Sequence, residues 1–292
     1  LNPISRLARH ARAPDAVLIL CTAVWGLAFL VAHEAVARVP PFPFVALRFA
    51  MAALAVQALT GARLRRVTRA ERRGGVLIAL AMLAGYGLQA AALTRLGSGR
   101  VAFICATYVP LVPLVQAVLW RRLPPPAVWL SVGLATAGMM LLAGGAGGTF
   151  GPSEALALAS ACGIAAEILL VSAFAPHVAP RQLALVQCIA VSAMAAVLAL
   201  LTGQSLPPIQ PLWIACTLGL GLASAALQLG VNWAMRLVPA TRATVIFATE
   251  PVWAAAFGAL AGERLGFIGY AGGAMILAGL LVSPRPPEAP AG

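Results

Sequence analysis

The sequence predicts an all-α integral membrane protein: ten transmembrane helices in two inverted five-helix repeats, residues 15–144 and 153–283, with both termini cytoplasmic. Three observations predict it. Apolar residues make up 61% of the chain and charged residues 10%, with a mean hydropathy of +0.93, where a soluble domain holds roughly half and a quarter. The apolar residues gather into ten runs long enough to span a bilayer. The arginines collect in alternate breaks between those runs.

Each run has its own boundary. At about 29 residues for a spanning helix and its loop, ten units fill the 292 residues. Run 1, 15–37, follows a polar start and ends before Pro40-Pro41; it is long enough to span, so no cleavable leader is expected. Run 2, 43–60, ends at the Gly61 to Gly74 segment, and run 3 covers 74–93. Arg95 and Arg100 separate it from run 4, 100–121. Pro124-Pro125-Pro126 opens run 5, 126–144, and Gly144 to Pro152 leads to run 6, 153–173. Run 7, 181–202, stops before Pro207-Pro208, which introduces run 8, 210–234. Runs 9 and 10, 240–261 and 266–283, are divided at Arg264. These runs are too long and continuous for barrel strands. Their short breaks make consecutive helices antiparallel neighbours.

All 20 basic residues are arginine, against 8 acids, for a net charge of +12. With the amino terminus inside, the cytoplasmic segments hold fifteen: Arg6, Arg9, Arg12, Arg63, Arg65, Arg66, Arg69, Arg72, Arg73, Arg121, Arg122, Arg181, Arg236, Arg242 and Arg285. The outer segments hold four, Arg38, Arg95, Arg100 and Arg264. That bias orients the chain. It also explains the basic charge through lipid phosphates rather than nucleic acid, so membrane lipids are the expected partners.

The halves superpose at an offset of 141 residues, which lays Arg95-Leu96 on Arg236-Leu237, Ala102 on Ala243, Pro110 on Pro251 and Gly138 on Gly279. Five spans is an odd number, so equivalent helices run in opposite directions. Inverted repeats of this kind are the architecture of many transporters, with a site at the interface of the halves.

An ionisable group in hydrocarbon is costly and faces a cavity or a partner. Glu250 stands near the middle of run 9, directly before Pro251. Proline clashes with the carbonyl four residues earlier, so it kinks the helix. An acid beside that kink reads as a site, hinge or proton-binding group, or as an acid capped by Thr244 or Thr249. Glu167 in run 6 falls on Gly26 at the same offset and reads as cavity-lining or as a helix contact. Glu34 and Arg48, near the outer ends of runs 1 and 2, are expected to pair. The alternative for Arg48 is a substrate carboxylate, which a guanidinium binds bidentately. His33 reads as interfacial.

Gln57, Gln89, Gln116, Gln187, Gln228 and Asn232 supply neutral polar groups that bind zwitterions or sugars, or bridge helices. Trp25, Tyr86, Tyr108, Trp233, Phe247 and Trp253 add aromatic surface, while Trp120, Trp129 and Trp213 at run ends read as a belt. Such walls suit amphiphilic organic molecules. Cys21, Cys105, Cys162, Cys188 and Cys216 lie in apolar runs without a CxxC pair and read as small buried hydrophobes. No metal site, cofactor or catalytic residue is expected. The chain has no Walker A, HExxH or GxSxG motif, which argues against ATP-driven transport or an enzyme.

Trp25-Gly26, Leu47-Arg48, Gln89 with Ala92-Leu93, Glu250-Pro251-Val252 running to Gly262-Glu263-Arg264-Leu265, and Gly272-Gly273 to Gly279 occur in an order that resembles the EamA-domain branch of the drug/metabolite transporter superfamily. The resemblance extends from about Val17 to Pro284. The first half departs from it: Arg121-Arg122-Leu123 stands where Gly-Glu-Arg-Leu is common, and Val109 replaces the acid before Pro110. The resemblance implies a multi-pass exporter of the bacterial inner membrane, of the YddG-type amino-acid exporter kind, working as a single chain by alternating access. The implied substrate is an amino acid or related metabolite, driven by its own gradient or by a proton on Glu250 or Glu167. A nucleotide sugar or another organic solute or drug is the alternative substrate, and a membrane scaffold the alternative class. The resemblance also implies a cavity lined from runs 1, 3, 4, 6, 8 and 9, which brings Trp25, Tyr86, Gln89, Tyr108, Glu167, Gln228, Trp233 and Glu250 together, with hinges at Pro110 and Pro251.

Overall fold

The computed structural model describes residues 13–121, 123–142, 151–260 and 267–284. Arg6, Arg9, Arg12, Arg122, the Gly262 to Leu265 motif and Arg285 lie outside the described residues. All regular structure among the described residues is helical. The helices are α1 (Ala13–Val36), α2 (Pro41–Thr60), α3 (Arg69–Met82), α4 (Leu88–Leu93), α5 (Ser98–Cys105), α6 (Tyr108–Trp120), α7 (Pro126–Leu142), α8 (Pro152–Phe174), α9 (Pro180–Leu201), α10 (Pro211–Ala234), α11 (Ala240–Phe247), α12 (Glu250–Leu260) and α13 (Phe267–Val282).

Local chemistry sets their ends. Proline occupies the first turn of α2, α8, α9 and α10, where its missing N–H costs nothing. Gly61 closes α2 in the left-handed region at φ +63°, its N–H returning to Gln57 O. Thr68 and Glu71 form a capping box at the start of α3. Seven helical segments are long and apolar enough to cross a membrane: Ala13–Val36, Pro41–Thr60, Arg69–Leu93, Arg100–Leu119, Pro152–His177, Pro180–Leu201 and Pro211–Ala234. α7 and α13 are shorter apolar helices. Leu54, Leu200 and Leu281 are 63, 81 and 81% exposed. Such leucines on the outside suit hydrocarbon, not water.

Three runs that read as continuous in the sequence are interrupted. A π-helical turn at Leu83–Gly87 joins α3 to α4. Ala106-Thr107 divides α5 from α6, and Ala248-Thr249 divides α11 from α12. The carbonyls that Pro110 and Pro251 cannot bond belong to Ala106 and Phe247, at these interruptions. Thr107 and Thr249 each donate a hydroxyl to the carbonyl three residues back, Ile104 and Ile246, at 2.7 Å. That back-bonding bends helices.

The two halves interlock instead of standing side by side. The most extensive helix contacts run between them: α7 with α13, α2 with α9 and α10, α1 with α10, and α3 with α8 and α9. The contacts are reciprocal. Gly138 on α7 lies against the backbone of Gly272 and Ile276, while Gly279 on α13 lies against Ser131 and Ala135. Gly138 and Gly279, Ser131 and Gly272, and Ala135 and Ile276 each stand 141 residues apart. The spacing read in the sequence therefore appears as mutual packing.

The register differs elsewhere. Asp15 and Glu154 in the first turns of α1 and α8 stand 139 apart, and Thr107 and Thr249 at the interruptions stand 142 apart. Connections of unequal length absorb the difference. Two expectations about residue environment change. Trp213 is buried, its indole N–H donating to Pro208 O at 3.1 Å, and so is not a belt residue. Cys162 is exposed and Cys216 half-buried, while Cys21, Cys105 and Cys188 are buried; all five thiols are free.

A Cβ on Gly138 would meet Gly272 O at 2.5 Å and one on Gly279 would meet Ser131 O at 2.7 Å, both backbone atoms, whereas Gly133 and Gly273 have nothing within 4 Å. Gly138→Ala or Gly279→Ala should destabilise the protein by about 1–3 kcal/mol through overpacking. Gly133→Ala and Gly273→Ala should be neutral. Thermal unfolding midpoints in detergent measure the difference.

Candidate functional site: a cavity between the halves

A cavity of about 830 Å³, its open mouth included, lies among α1, α2, α4, α5, α6, α8, α10, α11 and α12. Two helix faces dominate its wall. α1 presents Trp25, Ala28, Phe29 and Ala32, and α8 presents Ile164, Glu167, Ile168 and Val171. Both sets follow the i, i+3, i+4, i+7 spacing of one helical face. They correspond at an offset of 139, so the counterpart of Glu167 is Ala28 and not Gly26.

The interruptions place the next pair. Tyr108 is the first residue of α6 and Glu250 the first of α12, 142 residues apart, and both line the cavity. The tyrosine therefore stands where the second half carries its acid. Val109 is fully buried in the core. Thr244 and Thr249 do not cap Glu250: their hydroxyls donate to Ala240 O and Ile246 O at 2.7 Å. Thr249 also meets Thr22 of α1 at 3.1 Å between hydroxyl oxygens. Glu250 has no hydrogen bond or ion pair among the described residues.

Glu167 is 8% exposed and sits at the end of an amide chain. Gln228 Nε2 donates to its Oε1 at 3.3 Å, Gln187 Nε2 donates to Gln228 Oε1, and Asn232 Nδ2 donates to Gln187 Oε1 at 3.3 Å. Gln228 thus stands behind the wall instead of lining it. Trp233 is half-buried against the core, away from the cavity. Gln89 lines the cavity, its Nε2 3.8 Å from Cys105 Sγ. Of the eight residues expected at the wall, Trp25, Tyr86, Gln89, Tyr108, Glu167 and Glu250 are there.

The expected Glu34–Arg48 pair does not form. Glu34 pairs with Arg38 one helical turn on, at an exposed site. Arg48 points inward at 4% exposure and lines the cavity. Its Nε donates to Ser224 Oγ at 2.8 Å, and its guanidinium carbon lies 5.1 Å from the Tyr86 ring and 5.3 Å from the Phe49 ring. The physical reason is helix phase: Arg48 is on the buried face of α2 with Val45, Phe49 and Ala52, which packs on α9 and α10. Trp25 and Phe247 meet edge-to-face at 5.0 Å and close the aromatic seam between α1 and α11.

Two ion pairs tie the helix starts across the halves. Arg242 in the first turn of α11 holds both Asp15 oxygens, with Nε at 3.2 and 3.1 Å, and donates from NH1 to Ser283 O at 2.8 Å. Arg100 in the first turn of α5 bonds Glu154 at 2.8 Å. Arg100 and Arg242 stand 142 apart and their acids 139 apart, so one arrangement is made twice. Among the described residues no group of three or more His, Cys, Asp or Glu forms a metal site.

The sequence profile of the EamA-like transporter family matches residues 13–144 and again 152–283. The chain belongs to the EamA-like transporter family. A relative from Archaeoglobus fulgidus, described as an uncharacterized transporter, is 26% identical over 269 residues, covering 92% of this chain and 84% of its own. A crystal structure of a protein 22% identical in sequence superposes with a TM-score of 0.73 over 93% of this chain and 95% of that one. That likeness concerns the fold. The EamA-like chain is thus a transporter built from two copies of one helical unit, with the cavity between them.

Sequence reasoning missed Phe29, Ile164, Cys105 and Met235 at the wall of this EamA-like cavity. The i, i+4 step from Trp25 to Phe29 was the available signal. In a cysteine-free background, Phe29→Cys and Ile164→Cys should react with a water-soluble thiol reagent at least about tenfold faster than Leu54→Cys or Leu200→Cys, since the reactive thiolate needs water. Mass spectrometry of timed samples reads the rates.

Proposed function

We propose that this chain is a secondary transporter that exports small organic metabolites, foremost amino acids including aromatic ones, by alternating access through the central cavity. It spans the bacterial inner membrane ten times, as two inverted five-helix repeats, 15–144 and 153–283, with both termini cytoplasmic, and works as a single chain without a cofactor. The arginine asymmetry supports the orientation, and the reciprocal packing supports the inversion.

The observation that carries the substrate class is the joint presence, on one wall, of aromatic rings, a guanidinium and two carboxyl groups. A zwitterion with an apolar side chain finds a counterpart for each of its parts. A nucleotide sugar fits less well, because its phosphates carry two or more charges and Arg48 is the one cation among the described residues at the wall.

The two ion pairs support the mechanism. In an inverted repeat, the Asp15–Arg242 and Glu154–Arg100 pairs fall at opposite faces. Each acts as the lock of its face, opened in turn as α5–α6 and α11–α12 flex at their interruptions near Pro110 and Pro251. Glu250, with no partner among the described residues, is the group available to carry a proton.

In vesicles, the purified protein should exchange radiolabelled phenylalanine, tyrosine, threonine or methionine saturably. Glu250→Gln should slow this exchange, since the acid also faces the ammonium, and lose its response to an imposed pH gradient; a response equal to that of the wild type removes the acid from coupling. Asp15→Asn should speed labelling of a cysteine at position 29 from the face bearing the termini, and Arg100→Gln from the opposite face. Sidedness of labelling in oriented vesicles is the measurement, and equal labelling from both faces in both variants would remove the locks.

A further inference from the structure

We propose that Arg48 is the carboxylate anchor of the cavity, and that a carboxylate is the feature every substrate must carry. The inference rests on the transport reading above and deepens it. Arg48 is 96% buried, by its 4% exposure, yet its only hydrogen bond among the described residues uses Nε, to Ser224. Both terminal nitrogens lack a hydrogen-bond or ion-pair partner among the described residues, in a side chain that lines the cavity. The Glu167 carboxyl acts on its charge from beyond ion-pair distance, and a cation at membrane depth without a direct partner is costly. Here it is held in place instead of being allowed to reach water: Ser224 fixes one edge of the guanidinium, and the rings of Tyr86 and Phe49 hold its flank. The edge left open is the one that binds a carboxylate through two parallel N–H···O bonds.

Charge decides between the anions such a fork accepts. One guanidinium shares the wall with the carboxyl groups of Glu167 and Glu250. A phosphate dianion finds one cation for its two charges among the described wall residues, and a repulsion whenever either carboxyl is ionised. A carboxylate on a molecule that also carries an ammonium gains at both ends. The aromatic seam of Trp25 and Phe247 then takes the side chain. Gln187 stands on α9 at the offset of 139 that also relates Pro41 to Pro180, so the second half has an amide where the first has Arg48. The anchor is single.

The full-length protein in vesicles, exchanging radiolabelled phenylalanine, provides the test. Four analogues of similar bulk compete: 3-phenylpropionate keeps only the carboxylate, phenylalaninamide and phenethylamine keep only the ammonium, and phenyl phosphate offers the other anion. Phenylpropionate should compete, the amide and amine should not, and phenyl phosphate should be the weaker anion. Arg48→Gln should raise the half-saturating phenylalanine concentration by about ten- to a hundredfold. Arg48→Lys should raise it less, since the charge remains and the fork is lost. Ser224→Ala should fall between the wild type and Arg48→Lys. Equal competition by the acid and the amide overturns the anchor, as does an unchanged half-saturation in Arg48→Gln. Stronger competition by phenyl phosphate overturns the carboxylate assignment. If Arg48→Gln does not fold, Arg48→Lys decides by its ratio of phenylpropionate to phenylalaninamide inhibition. If the wild type exchanges no amino acid, the amino-acid reading fails, and thermal stabilisation then tests the anchor alone. Stabilisation by 3-phenylpropionate and benzoate in the wild type but not in Arg48→Lys sustains it; equal shifts in both proteins, or none in either, overturn it.

Discussion

Hydrocarbon offers no hydrogen-bond partner, and the pairing of polar side chains along the described helices follows from that constraint. Ser131, Ser160, Thr217 and Thr244 turn back to carbonyls of their own helices. Asn232, Gln187 and Gln228 form a chain of donated hydrogen bonds that finishes on Glu167. Arg242 and Asp15 meet at helix starts, where an aqueous boundary is near. Single unpaired atoms stay in the packed interior, at His33 Nδ1, Gln116 Oε1, Thr136 Oγ1, Gln182 Oε1 and Asn232 Oδ1. The other unpaired groups among the described residues that bear on function share one place, the Arg48 fork, the Glu250 carboxyl, one oxygen of Glu167 and the hydroxyls of Tyr86 and Tyr108, on residues that all line the same cavity. Groups left unmatched at membrane depth are tolerated where a hydrated, ligand-accepting space replaces the missing partners.

The scaffold is symmetric and the chemistry is not. Backbone approaches at Gly138 and Gly279, interruptions at Thr107 and Thr249, and ion pairs at Arg100 and Arg242 come in matched sets. They govern how helices pack and bend, which both repeats require equally. The cavity side chains do not match: Ala28 faces Glu167 across the pseudosymmetry, Tyr108 faces Glu250, and Arg48 faces Gln187. Both wall acids come from the second repeat and the guanidinium from the first. A duplicated scaffold keeps its packing positions because each is needed twice, while a single bound molecule needs each binding group once.

Much of the fold was legible because bilayer thickness and proline write directly into sequence. Runs that begin at 43, 126 and 153 correspond to helices that start at Pro41, Pro126 and Pro152. The 141-residue spacing returned as matched contacts, Gly138 against Gly272 and Ile276 and Gly279 against Ser131 and Ala135. Register within each repeat was less legible, because loops of different length shift it to 139 at α1 and α8 and 142 at α5 and α11; a single offset therefore put Glu167 on Gly26 and Glu250 on Val109. The family resemblance placed six of the eight expected residues at the wall. It misplaced Gln228 and Trp233, since one turn of α10 separates a residue at the wall from one behind it, and uniform apolarity leaves no amphipathic signal to fix the phase. Arg48 was misread for the same reason: its distance along the chain from Glu34 was visible, and its rotation about α2 was not.

The division of charge between repeats bears on how binding becomes movement. A ligand shifts a conformational equilibrium only by its difference in affinity for the two states. A molecule that touched Arg48 alone would load α2, which packs on α9 and α10, and would leave α12 indifferent. A molecule that touched Glu250 alone would load α12, which packs on α1. On the proposed reading, a zwitterion reaching both joins helices that share no other polar contact among the described residues, and its own length sets how closely they draw together. Closure around such a substrate is then favoured by contacts that neither an amine nor an acid alone supplies. On the proposed reading such a cavity discriminates more sharply in transport than in binding, since the carboxylate alone gains entry and both ends together move the helices.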